Sequence, residues 1–139
     1  MVAMHEVFEH TADLGIRARA PTLADLMAEA GLGLQEVIAG EAPGVRPTVE
    51  ERFAVPGHDP EWLLLDWLGE LLAAFELRRM LFCRFEVTID RDGIRAHARG
   101  EPYDSRRHEL WHEVKAITHH GLRVRETPQG WEAEVIVDI

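Results

Sequence analysis

Near the start of the chain, apolar and polar residues alternate singly on either side of a short polar stretch, His10-Thr11-Ala12-Asp13-Leu14-Gly15. His5, Val7 and Glu9 alternate with Glu6, Phe8 and His10 before it, and Ile16, Ala18 and Ala20 alternate with Arg17 and Arg19 after it. A period of two belongs to strands, so the pattern predicts strand, turn, strand, with Gly15 freeing the backbone where the second strand begins. The spacing then lengthens. Leu23, Leu26, Met27, Ala30, Leu34, Val37 and Ile38 recur three and four apart behind Thr22, which predicts a helix capped by Thr22, answered by Asp25 and ending near Ala39-Gly40. Gly31 and Gly33 lie inside it at a cost of up to ~1 kcal/mol each, which predicts close packing against a neighbouring element. Glu41 to Pro47 reads as a loop and Val49 to Val55 as a strand stopped by Pro56-Gly57.

Asp59-Pro60 starts a second helix, with the aspartate as cap and the proline at the first helical position. From Trp62 to Leu77 its apolar residues are too dense for one covered face, so it is expected at the centre of the core, with Asp66 and Glu70 one turn apart on what remains polar. Phe82 to Ile89 and Ile94 to Ala98 read as a hairpin around Asp90-Arg91-Asp92-Gly93, followed by a loop at Gly100-Glu101-Pro102-Tyr103-Asp104. After a polar segment without clear period, Val114 to Arg125 and Trp131 to Ile139 alternate again around Pro128-Gln129-Gly130. The order β-β-α-β-α-β-β-β-β predicts an α+β fold over residues 1–139, a single domain in which two long helices cover antiparallel sheet.

Composition narrows the function classes. With 46% apolar residues, 7 prolines and 11 glycines in 139 residues, the chain can bury a real core. No apolar run approaches the roughly 18 residues of a membrane span and no leader precedes the first strand, so a cytoplasmic protein is expected. The single cysteine, Cys83, can form no intramolecular disulfide and reads as an inert core thiol. A formal charge of -10, with arginines scattered along the strands, argues against tight direct nucleic-acid binding and suits a cation or a basic protein partner. Among 15 basic residues Lys115 is the only lysine, a compact mobile ammonium where a planar fork would not serve, or a chance survivor.

Candidate chemistry is sparse. The sequence ends inside a strand pattern, which would hold the carboxylate of Ile139 in the sheet beside Asp138. If that strand pairs near the first hairpin, Asp13 joins them, and three carboxylates together call for a hard divalent cation; from spacing alone, a turn aspartate and a frayed end is the favoured reading. His108-Glu109-Leu110-Trp111-His112 matches H-E-x-x-H, in which two histidines one helical turn apart hold zinc. Three fixed positions are a weak constraint, and the flanking pattern is loop into strand rather than long helix, so a zinc hydrolase on His108 and His112 is the lesser reading. His119-His120 would point to opposite faces of a strand and cannot share one ion. No phosphate loop, nucleophile elbow or activated cysteine is present.

Several stretches together resemble the archeases. They are His10-Thr11-Ala12-Asp13-Leu14-Gly15 with its threonine-leucine helix start, Asp66-Trp67-Leu68-Gly69-Glu70-Leu71-Leu72, Gly100-Glu101, Glu113-Val114-Lys115-Ala116-Ile117-Thr118-His119, and the closing Trp131 to Ile139. H-T-A-D-x-G and E-V-K-A-x-T-x-H are specific together; Gly69 departs from the commoner serine. The resemblance implies a small α+β protein that activates the tRNA-splicing RNA ligase without being a catalyst itself, promoting guanylylation of the ligase's histidine and its turnover and broadening the nucleoside triphosphates it accepts. It implies a divalent-metal site, usually assigned as calcium, with Mg²⁺ or Mn²⁺ as alternatives, on Asp13, Asp138 and Ile139, and it gives Lys115 a functional part. A chaperone-like modulator of RNA-modifying enzymes such as tRNA methyltransferases is the competing class.

Overall fold

The computed structural model describes residues 1–41 and 43–139, so Ala42 of the expected loop Glu41 to Pro47 lies outside the described residues. The elements follow in the expected order: β1 (Met4–His10), β2 (Asp13–Ala20), α1 (Leu23–Ala39), β3 (Val49–Pro56), α2 (Pro60–Arg78), β4 (Met80–Asp90), β5 (Gly93–Pro102), β6 (Ala116–Thr127) and β7 (Gly130–Asp138). Every strand pairing is antiparallel. The class is α+β, and the strands divide into two sheets of order β1-β2-β7-β6 and β3-β5-β4, a partition that single-strand alternation does not encode.

Both helices begin where the caps demand. Thr22 Oγ1 accepts from Asp25 N–H at 3.1 Å, and Asp59 Oδ1 accepts from Glu61 N–H at 2.9 Å. α1 packs against β1, β2 and β7 of one sheet and β4 of the other, while α2 packs against β6, against all three strands of the second sheet and against α1. The two glycines allow α1 to come this close, because a β-carbon at Gly33 would lie 2.6 Å from Ile16 Cγ2 and one at Gly31 would lie 2.9 Å from Phe85. Trp67 ties the helices together by donating from Nε1 to the Met27 carbonyl at 2.8 Å, and its ring meets Phe53 and Phe85 edge-on.

Two boundaries depart from expectation. β5 continues through Gly100 and Glu101, which the composition read as loop; a β-carbon at Gly100 would collide with the Leu81 backbone, so glycine there permits the close pairing. β6 starts at Ala116 rather than Val114, and residues 103–115 carry no regular structure. That connection is anchored along its length: Tyr103 N–H donates to Arg79 O, Trp111 N–H to Ile38 O and Lys115 N–H to Asp138 O. Among the described residues no helix is long and apolar enough to cross a membrane.

Candidate functional site

Alternation sorts the four-stranded sheet into an inner and an outer face. Leu14, Ile16, Ala18 and Ala20 of β2 are buried, and the cross-strand ladder matches them with Val137, Val135, Ala133 and Trp131 of β7. The outer face therefore carries Asp13, Gly15, Arg17 and Arg19 of β2 beside Ile136, Glu134 and Glu132 of β7. In its lower rows every one of these glutamates is paired with arginine. Arg17 bridges Glu6 and Glu134, Arg123 meets Glu134 at 3.3 Å, and Arg125 meets Glu132 at 2.9 Å. Glu6 and Glu134 in turn hold the Arg17 guanidinium firmly protonated.

The row at the end of the sheet differs. His10 pairs with Asp13, the β2–β7 ladder ends at Leu14 with Val137, and Asp138 pairs with Ala116 of β6. One further step of the β2–β7 register sets Asp13 opposite Asp138, and directly opposed residues share a face. Both are partly buried, and neither enters an ion pair among the described residues. His10 lies beside them with its ring 6.2 Å from that of His120, and its Nδ1 is buried without a hydrogen-bond partner among the described residues. Ile139 follows Asp138 directly and is partly buried.

Lys115 joins this row through its backbone. Its N–H donates to the Asp138 carbonyl at 2.8 Å, while its side chain is exposed, makes no ion pair among the described residues and lines a separate shallow depression with Phe75, Arg79, Leu110 and Glu113.

The zincin reading is corrected. His108 is buried, and both ring nitrogens are committed: Nδ1 accepts from Asp104 N–H at 2.9 Å, which leaves Nε2 to donate to Glu101 Oε2 at 3.0 Å. His112 lines another cavity with His5 and Trp111, the segment is not helical, and the two histidines cannot close on one ion. Glu101 is the centre of a structural clamp, also accepting from Arg107 Nη1 at 2.6 Å and Arg46 N–H at 2.7 Å, and these donors, Arg107 foremost, hold its carboxyl down at about 2. Asp66 and Glu70 are exposed, a solvated stripe. His119 and His120 part as a strand requires, one ring near Trp62 and the other near His10. Cys83 is half-buried, and burial pushes its thiol pKa up, consistent with an inert group.

A family model described as the Archease protein family (MTH1598/TM1083) matches residues 5–139. The chain belongs to the archease family. It is 41% identical over 138 residues to the protein archease of Methanopyrus kandleri, covering 96% of this chain and 98% of that one. With the archease of Pyrococcus furiosus it shares 38% over 139 residues, 96% and 97% of the two chains. The solution structure of Methanobacterium thermoautotrophicum protein 1598 superposes with a TM-score of 0.83 at 34% identity over 97% of this chain and 98% of that one.

The archease carboxylate row offers hard oxygen donors of the kind a divalent cation takes. No group of three or more His, Cys, Asp or Glu side chains is placed to hold a metal among the described residues. Two partly buried carboxylates on one face without a cation, in a sheet whose other outward glutamates have arginine partners, fit a hard ion. The buried, unpartnered His10 Nδ1 beside them is the signal that sequence reasoning missed.

Proposed function

We propose that this archease is a non-catalytic activator of the tRNA-splicing RNA ligase, acting in the cytoplasm. In this reading Asp13, Asp138 and Ile139 hold a divalent cation, Ca²⁺ first, with Mg²⁺ and Mn²⁺ as alternatives suited to the same oxygen donors. Bound there, the cation supplies charge neutralisation for phosphate oxygens. The observation that carries the reading is the pair of aspartates that, among the described residues, have no arginine partner at the one end of the outer face where the family motif falls.

The chain's own residues do the rest by position. β2 and β7 fix the two carboxylates on adjacent paired strands, so little ordering remains to be done on docking. Lys115, tied by its main chain to Asp138, presents its exposed ammonium at the separate depression it lines, available to a negatively charged group that arrives with the ligase. Guanylyl transfer to the ligase histidine is governed by positioning and charge neutralisation, which a rigid carboxylate row with a bound cation would serve.

The test is single-turnover guanylylation of the ligase with and without this protein. Wild type is expected to accelerate the step and Asp13→Asn to abolish the acceleration with an unchanged melting temperature. Equal rates with and without wild type would contradict the reading.

A further inference from the structure

The end of α2 and the end of the connection into β6 together line a depression of about 700 Å³, and each brings a cation to it, Arg79 from the helix and Lys115 from the connection. Arg79 is held there unusually. Its backbone is left-handed, φ 56° and ψ 31°, and among the described residues only Thr11 shares a positive φ without being glycine. Glycine is the common choice past the last turn of a helix, because a β-carbon strains the left-handed turn. The turn is pinned from both sides: Arg79 N–H donates to the Phe75 carbonyl at 2.8 Å, and the Arg79 carbonyl accepts from Tyr103 N–H at 2.7 Å. Glycine would make both bonds, so what arginine adds at this strained position is its side chain.

That side chain is exposed, with its guanidinium carbon 5.0 Å from the centre of the Phe75 ring. Stacking fixes the plane of the fork, and the fork enters no ion pair among the described residues. The helix dipole does not account for it, since Arg78 already places a positive charge in the last turn, paired with Glu51. A planar fork held in place without a partner is a bidentate receptor for an oxyanion.

The rest of the depression decides which oxyanion. Glu76 and Glu113 line it as well, balancing the two cations, and the chain as a whole carries -10. RNA and dianionic phosphate meet repulsion from both. A single carboxylate on a protein surface fits better: it brings one charge to the fork, and the apolar atoms around it meet Phe75, Val114 and the exposed Leu110.

We propose that Arg79 is a docking residue for the ligase, taking an acidic side chain of that protein's surface in a bidentate pair beside Lys115. The proposal rests on the activator reading and adds to it a second cation, one that sets affinity rather than rate.

Two measurements test it: binding of the full chain to ligase free of RNA and nucleotide, by fluorescence anisotropy, and guanylylation rates over a range of archease concentrations. Arg79→Gly is expected to weaken binding about tenfold or more, the loss of one charge-assisted pair. The concentration for half-maximal stimulation should rise by the same factor, with the plateau rate kept. Its melting temperature is expected at or above that of wild type, because glycine adopts the left-handed turn without strain, so unfolding does not explain the loss. Arg79→Lys, which keeps the charge without the fork, is expected to fall between the two. Arg79→Gly binding as tightly as wild type would overturn this proposal and leave the activator reading standing. A deficit that appears only once RNA is added would assign the fork to a phosphate and overturn it too. Wild type that neither binds nor stimulates the ligase would remove both.

Discussion

Glu101 offers the sharpest check on how the connection between β5 and β6 is held. Its side chain is about nine-tenths buried and accepts from Arg107 at 2.6 Å, from Arg46 N–H at 2.7 Å and from His108 at 3.0 Å. Glu101→Gln keeps the shape but turns one oxygen into an NH₂ that faces one of these donors, so a charge-assisted bond is lost and a donor is left opposed. Removing one buried, charge-assisted bond costs about 2 kcal/mol. For a chain of this size that corresponds to a fall in melting temperature of about 8 °C at pH 7. The pH dependence gives the second half of the test. The folded carboxyl is lowered to about 2 from the ordinary 4.5, so its stabilisation is fully present above about pH 4.5 and is lost as the pH falls toward 2. Denaturant unfolding of wild type and variant, followed by circular dichroism from pH 7 to 3, should show a gap that is constant down to pH 5 and closes below it. A gap that stays constant to pH 3, or a variant as stable as wild type at pH 7, would refute the clamp.

Helix α1 and helix α2 give opposite expectations for glycine replacement. Gly69→Ala adds a methyl that meets nothing within 4 Å, so thermal unfolding should show a gain of up to about 1 kcal/mol from helix propensity. Gly33→Ala drives a methyl against Ile16 Cγ2 and should lose about 1 kcal/mol or more instead; a gain there would contradict the packing of α1 on β2. Trp67→Phe removes the bond to the Met27 carbonyl from a fully buried position and should cost about 2 kcal/mol in urea unfolding. Lys115→Arg should lose ligase stimulation in the guanylylation assay while melting as wild type does, because a planar fork does not replace a mobile ammonium; full activity would remove Lys115 from the mechanism.

The strands and helices were readable because their signals are local. The alternation from His5 to Ala20, the Thr22 and Asp59 caps and the Asp92-Gly93 turn each act within a few residues, and all appear in the fold. The division into two sheets was not readable, since it depends on β7 returning to β2 rather than to β5, and alternation names a face without naming a partner. Glu101 was misread for a related reason. Gly100 looks like a loop signal until the Leu81 backbone is seen lying against it, and only then does the buried carboxylate with its Arg107 and His108 partners make sense. The same contacts that remove His108 from any zinc site could not be inferred from H-E-x-x-H, whose fixed positions say nothing about burial. At the candidate site, Asp13 was legible from its motif, but the proximity of Asp138 rests on long-range register. The nitrogens of His10 and Gln35 that lack partners among the described residues carry no sequence signal of that isolation.

The proposed role requires a cation held where β2 and β7 end. Calorimetric titration of the metal-free protein with Ca²⁺, alongside Asp138→Asn and a chain extended beyond Ile139, measures this directly. One site per chain in the wild type, lost in both altered proteins with their folds retained, is the expected result. Calcium bound as tightly without the Asp138 carboxylate, or not bound by the wild type at all, would contradict it.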